Sequence, residues 1–403
     1  MAGRRRGAGG AGFRLAVTAV LAGMVGLVGC GGAVQVQDTA RADVQETLDR
    51  RANAVLAGDT AAYRDTGSAD ASTPGNLADV PLASWTYTLA RFEREGTHAT
   101  ADAELQYRIS GYDSAPVVTD RILTLELRGP RWYVTADRPA PNTGEQLWEQ
   151  GKVVVERGTH SLVLGVGRPR GALRDYADLA DQAVPAVSSA WGSGWARRVV
   201  VLVPKSLGDM GALLGAPAAG YQGIAAVTTG EAGAVGKAPA DRIIVNPDAF
   251  GALGSFGRQV VLTHETTHVA TRSETSQSTP LWLSEGYADW VGYRDTGRSA
   301  AQAAPELERS VRLGQLPAAL PTDADFGFSG DPGRLAQAYE GGWLACRMIA
   351  DRWGEAKLNA FYRAVGAHQQ RAGAVESALG SVLGTTEEKF TADWRAYLRA
   401  QLG

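Results

Sequence analysis

With 403 residues, 40 Lys and Arg against 43 Asp and Glu, and a formal net charge of −3, the chain is long enough for about two domains with buried cores. Its 44% apolar and 21% charged residues exclude an intrinsically disordered protein. No basic stripe runs through the body, which argues against nucleic acid as a partner.

Residues 1–29 read as a secretory signal peptide. Arg4, Arg5, Arg6 and Arg14 form a positive start, and the fourteen apolar residues from Leu15 to Val28 fall short of the ~20 that a spanning helix needs. The segment ends Leu27-Val28-Gly29-Cys30, which resembles the bacterial lipobox. That resemblance implies a lipidated Cys30, a tether over 30–40 and an exported protein held on the extracytoplasmic side of the membrane. A plain signal peptide cut nearby is the alternative. Cleavage would remove four arginines and no acids, so the mature chain is acidic and needs its lipid to stay on an acidic surface. The other cysteine, Cys346, then has no partner and reads as a small core residue.

Asp43 to Ala57 carries Val44, Leu48 and Val55 on one stripe, the pattern of an amphipathic helix, and a second helical piece lies around Ala61 to Tyr63. Period-two alternation over 84–89, 100–109, 117–127 and 131–134 predicts a curved antiparallel sheet, with His98 in a turn. Helices followed by such a meander resemble the cone-shaped α+β domains of the ketosteroid-isomerase type, over about 41–138. Cones of that type often enclose a ligand pocket, but no His/Asp pair here commits to catalysis, and a spacer or substrate-presenting role is expected. Two prolines and a glycine in Arg138-Pro139-Ala140-Pro141-Asn142-Thr143-Gly144 mark a boundary.

From 145 onward the pattern is mixed. Strands are predicted over 152–156, 161–164, 199–204, 223–229 and 243–246, with a helix over 173–191 and a Gly/Ala loop over 230–240. The run Val261-Leu262-Thr263-His264-Glu265-Thr266-Thr267-His268 then places His-Glu-x-x-His in an apolar helix. Histidines four apart leave one face a turn apart and suit two corners of a tetrahedral zinc site, with Glu265 beside the water position. A second helix is predicted to open with Thr279 as its N-cap and Pro280 first inside, bringing Glu285 and Asp289 onto one face. His264, His268 and Glu285 supply the three protein ligands of a single catalytic zinc ion. Asp289 is placed to accept the distal N–H of His264 and fix its tautomer, its alternative being an ordinary surface acid. Further on, Asp331 and Pro332 start a helix, and Thr385-x-x-Glu388 predicts a capping box for the last one. His160 and His368 have no ligand-spaced partner.

HETTH followed by PLWLSEGYAD resembles the gluzincin metallopeptidases, the group that includes thermolysin and the zinc aminopeptidases. The second stretch is similar to the aminopeptidases' W-L-N-E-G-F-A, and Glu285-x-x-x-Asp289 to thermolysin's E-x-x-x-D. Tyr339-Glu340-Gly341-Gly342 resembles the aminopeptidases' Y-E-K-G, which implies that the Tyr339 hydroxyl stabilises the tetrahedral intermediate; otherwise it is a packed core tyrosine. The resemblance also implies that 223–229, with Ala225, Ala226 and Val227, is an edge strand to which an extended substrate adds by main-chain hydrogen bonds; an interior strand is the alternative. Two departures stand out. Only sixteen residues separate His268 from Glu285, fewer than in those relatives, and no G-A-M-E-N segment is present to capture a free amino terminus.

The fold expected is α+β: amino-terminal helices and a curved antiparallel sheet, then a zincin-type mixed sheet with the HExxH helix and an all-helical end, over 145–403. The function expected is zinc-dependent hydrolysis of peptide or protein substrates with Glu265 as general base. One competing reading is an inactive zinc-binding lipoprotein that binds a ligand or cell-wall component; another turns the same chemistry on a non-peptide amide.

Overall fold

A computed structural model describes residues 39–229, 240–327 and 331–403. The signal segment, Cys30, nearly all of the tether and the Gly/Ala loop over 230–239 lie outside the described residues. Among the described residues no helix is long and apolar enough to cross a membrane.

Helix α1 (Ala40–Ala57) starts three residues earlier than the periodicity predicts and buries Val44, Leu48, Ala52 and Val55 on a single stripe. α2 (Thr60–Arg64) opens where the Asp59 side chain accepts the N–H groups of Ala61 and Ala62, and the short α3 (Thr73–Asn76) follows. Strands β1 (Leu82–Glu95), β2 (His98–Ile109), β3 (Val117–Arg128) and β4 (Arg131–Pro139) pair antiparallel in chain order. Each is longer than its alternating stretch, because ladder hydrogen bonds continue past the last buried side chain. His98 accordingly begins β2 instead of lying in the turn, which is made by Gly96 at φ 61° and Thr97. Arg138 and Pro139, expected in the boundary segment, are paired with Ile122 and Arg121 at the end of β4.

Past that point the chain turns back into the first sheet. Trp148 packs on Trp85 and Tyr107, with ring centroids 5.0 Å from each. Beside it Arg121 donates to Asp137 Oδ1 at 2.7 Å and to Glu149 Oε1 at 2.6 Å, while the Tyr87 hydroxyl donates to Asp137 Oδ2 at 3.0 Å. Arg121 and Asp137 side chains are each 3% exposed.

The second sheet is mixed, as expected, and runs β5 (Val153–Arg157), β6 (Ser161–Val166), β7 (Val199–Val203), β9 (Ile243–Val245), β8 (Ala226–Thr228). α4 (Arg170–Trp191) is the crossover between parallel β6 and β7, and α5 (Leu207–Leu213) follows β7. β8 is an edge among the described residues and pairs antiparallel with β9. β7 shows why its sequence is an unbroken apolar run. Val199, Val201 and Val203 pack with α4, while Val200 joins the core that includes the first sheet.

The sheet does not lead straight into the histidine-bearing helix. α6 (Pro247–Ala252) intervenes, because Asn246 accepts the N–H groups of Asp248 and Ala249 and Pro247 pre-sets the first turn. α7 (Ser255–Thr271) follows from Gly254. α8 (Leu281–Tyr293) starts one residue later than predicted, with extended Pro280 as its N-cap. The Thr279 hydroxyl instead accepts the Ser276 N–H and closes the preceding turn. The rest is helical: α9 (Ala300–Ala303), α10 (Pro305–Arg312), α11 (Pro332–Trp353), α12 (Glu355–Gly366), α13 (Ala374–Ala378) and α14 (Glu387–Leu402). Asp331 caps α11 as expected. α14 is capped by Thr386 accepting from Lys389 N–H, not by Thr385. Glu388 therefore sits too early for the predicted capping box, and Thr385 Oγ1 is buried without a partner.

α8 and α11 cross with their backbones in contact. A Cβ on Gly286 would stand 2.3 Å from the Gly342 carbonyl, and one on Gly342 would stand 2.6 Å from the Trp282 carbonyl oxygen. Cys346 on α11 is a free, fully buried thiol, as its apolar setting predicts.

Candidate metal centre

α7 buries an unusually hydroxylated helix face and satisfies it internally. Thr263, Thr267 and Thr271 each donate to the carbonyl four residues earlier, at 2.8, 2.8 and 3.0 Å. The adjoining face carries His264 and His268, whose ring centroids are 4.7 Å apart. α8 lies across it and delivers Glu285 and, one turn on, Asp289.

The donor atoms converge. His264 Nε2 lies 3.0 Å from His268 Nε2 and 3.1 Å from Glu285 Oε2, and His268 Nε2 lies 3.3 Å from the same oxygen. His264 Nδ1 lies 2.8 Å from Asp289 Oδ1. With the Nδ1 proton committed to Asp289, neutral His264 turns its Nε2 lone pair toward His268 Nε2 and Glu285 Oε2. With His268 also presenting a lone pair from Nε2, the three atoms form a donor set that a cation would hold together. Ligand atoms at about 2.0–2.1 Å around one tetrahedral ion stand roughly 3.3 Å apart, so these spacings fit zinc. Among the described residues this is the one group of three or more His, Cys, Asp or Glu placed to hold a metal, and no fourth protein ligand joins it.

The electrostatics agree. Burial disfavours charge on His264, yet Asp289 and Glu285 outweigh it and push its pKa well up. Burial likewise opposes charge on Glu285, while the two imidazoles hold its carboxyl well below the usual range. The cluster is electrostatically a seat for positive charge.

Glu265 is 6% exposed and turns from the histidine face toward the second sheet. There the Thr228 hydroxyl lies 2.7 Å from Glu265 Oε2 and 3.1 Å from the Glu265 carbonyl oxygen. Tyr339, on α11, has its ring 6.5 Å from that of His264 and 5.1 Å from that of Phe326. Burial, then the charges of Glu285, Asp289 and Glu265, push its phenol far up, so it stays an O–H donor.

Two cavities meet at His264, Glu265 and Tyr339. One of about 430 Å³ is apolar, lined by Val260, Val261, Leu335, Ala336 and Trp343. The other, about 280 Å³, is lined with polar groups including Arg272, Thr275, Ser276 and Ser284. Ile224 and Ala226 border both, and Ala225 borders the first and Val227 the second.

Sequence reading missed two residues at the site, Thr228 and Arg272, and one long-range contact away from it. Thr228 was part of the suspected strand but carried no role. Arg272 lies one turn beyond His268 and is held at 3.1 Å by buried Asp241; its i+4 spacing was the available signal. Asp113, on the loop after β2, makes two 2.7 Å bonds to Arg242 beside β9, a contact spanning 129 positions that no local pattern announces.

No family model and no curated protein matches the chain. Solved structures do. Yeast LTA4 hydrolase is 14% identical over 62% of this chain and 39% of its own, with a TM-score of 0.39. A mutant of the M1 zinc metallopeptidase from Deinococcus radiodurans is 16% identical over 79% of this chain and 61% of its own, with a TM-score of 0.32. A hypothetical protein of ketosteroid isomerase-like fold from Catenulispora acidiphila, in complex with trimethylamine, is 18% identical over 24% of this chain and 84% of its own, with a TM-score of 0.19. The chain thus spans less than two thirds of the length of either peptidase-type neighbour.

Proposed function

We propose that this protein is a zinc-dependent hydrolase of peptide bonds. The observation that carries the reading is the three-donor triangle of His264, His268 and Glu285, with His264 oriented by Asp289 and no fourth protein ligand among the described residues. A structural zinc site is usually closed by four protein ligands, and a catalytic one leaves a position open. An acid in the position of Glu265 also has no use in a structural site, which weighs against the inactive binding module.

His264, His268 and Glu285 would hold the ion, and zinc bound there supplies Lewis acidity, lowering the pKa of water and polarising a carbonyl. Glu265 takes the proton of the attacking water and passes it to the leaving amine. Tyr339 donates its hydroxyl hydrogen to the oxyanion as it forms. The edge strand, through Ala226 and Val227 with Ala225 just before it, offers main-chain groups to an extended substrate. The apolar cavity beside Val260 and Trp343 takes a side chain out of water.

The same proposal extends to the ends of the chain. Residues 1–29 are a leader, Cys30 a lipid-anchored first residue on a tether, 41–138 a spacer or substrate-presenting domain and 145–403 the hydrolase. The leader's charge pattern and the terminal Leu-Val-Gly-Cys support the anchored, extracytoplasmic location.

The test joins elemental analysis of purified protein to a peptide-library digest with and without chelator. One zinc per chain and chelator-sensitive cleavage are expected. A fully zinc-loaded protein that cuts no peptide sinks the proposal.

A further inference from the structure

We propose that Thr228 is a positioning residue for Glu265: a hydroxyl on the edge strand holds the general base in its working orientation. The inference rests on the hydrolase reading above and adds a residue that the histidine and glutamate motifs do not contain.

The hydroxyl has one hydrogen and two acceptors in reach, Glu265 Oε2 at 2.7 Å and the Glu265 carbonyl oxygen at 3.1 Å. The shorter distance goes to the charged atom, and a hydrogen bond to a carboxylate is the stronger kind. Among the described residues Glu265 Oε1 has no hydrogen-bond partner. A glutamate side chain has three rotatable bonds, so without a fixed contact a buried carboxylate could settle in several rotamers. Thr228 removes that freedom at one oxygen and leaves the other.

The location gives the contact a second consequence. Thr228 is the last residue of β8, in register with Ile243 of β9, and so its place is set by the ladder. The same short strand borders both cavities. A peptide that extended the sheet at β8 would press on the strand that carries the base's hydrogen-bond donor. Binding along that edge and alignment of Glu265 are therefore one mechanical event.

Thr228→Val keeps the β-branched shape that suits a strand and deletes only the donor. With zinc-loaded full-length protein and a peptide found in the library digest, we expect kcat to fall about tenfold or more with KM within twofold, and zinc content unchanged. General-base catalysis supplies on the order of 10²–10⁴ in rate, so partial misalignment has that much to lose. Thr228→Ser, which restores the hydroxyl, should recover most of kcat. An unchanged kcat in Thr228→Val overturns the inference. So does a Ser variant as slow as the Val variant, or a loss confined to KM, because either outcome assigns the residue to strand shape or substrate binding. If the wild-type protein cleaves nothing, the hydrolase reading falls and this inference falls with it; wild-type turnover with an indifferent Thr228→Val removes the inference alone.

Discussion

Each half of the chain buries a cluster of charge, and the two are resolved in different ways. In the first, Arg121 stands between Asp137 and Glu149 with Tyr87 on the far oxygen, so opposite charges meet at 2.6–2.7 Å and the protein supplies its own counter-ions. In the second, His264 Nε2, His268 Nε2 and Glu285 Oε2 converge within 3.0–3.3 Å of one another, and among the described residues no Lys or Arg is paired with them. Trp148 packs against the first sheet, and two cavities open onto the second cluster. A network of oppositely charged pairs holds a fold together; a convergent donor set bordered by cavities is suited to a ligand. Burial and charge alone do not tell them apart. The sign of each neighbour does.

Four experiments break or sharpen that contrast. Glu265→Gln should keep one zinc per chain and lose turnover by roughly 10²–10⁴; steady-state rates beside elemental analysis check it, and a variant as fast as the parent removes Glu265 as the base. Arg121→Met should do the reverse. It strands two buried carboxylates at a cost of about 3–5 kcal/mol in denaturant unfolding, while kcat of the folded fraction stays at the parent's value. Equal damage to kcat would mean that the first cluster serves the site after all. Asp289→Asn should weaken zinc about 10–100-fold in a competitive chelator titration without unfolding the protein, because it loosens the His264 tautomer and no ligand is removed.

The smallest effect belongs to a buried acid that belongs to neither cluster. Glu340 accepts the N–H groups of Glu306 and Leu307 at the start of α10, and burial pushes its carboxyl up to about 7. A folded pKa above the unfolded value of about 4.3 favours the protonated form in the folded protein. Its contribution is thus complete below that value and is lost as the pH rises through about 7. Glu340→Gln should flatten the fall in unfolding midpoint between about pH 4 and 7. A slope unchanged by the substitution assigns that pH dependence elsewhere.

How much of this was legible in the residues depended on how far apart the partners lie. His264 to His268 is one helical turn and Glu285 to Asp289 another, so their shared faces follow from spacing alone. The α+β class followed as well, since strand alternation and helical stripes are local signals. The capping of α14 slipped by one residue because Thr385 and Thr386 are chemically identical candidates, and only packing chooses between them. α6 went unread because Asn246-Pro247 served equally well as a strand end and a helix start. Thr228 lies 37 positions from Glu265, and Asp113 lies 129 from Arg242. Contacts of that range are made by tertiary packing, which no window of sequence contains.

The crossing of α8 and α11 fixes a dimension. Gly286 follows the carboxylate that completes the donor triangle, and Gly342 lies one turn past Tyr339, where the backbones touch because neither has a side chain. The spacing of α8 and α11 is therefore set by two missing methyl groups. Adding one at either position would force the helices apart and shift Tyr339 relative to Glu285, although neither glycine lines either cavity. The geometry of a site can thus be fixed at positions that a search for lining residues would pass over.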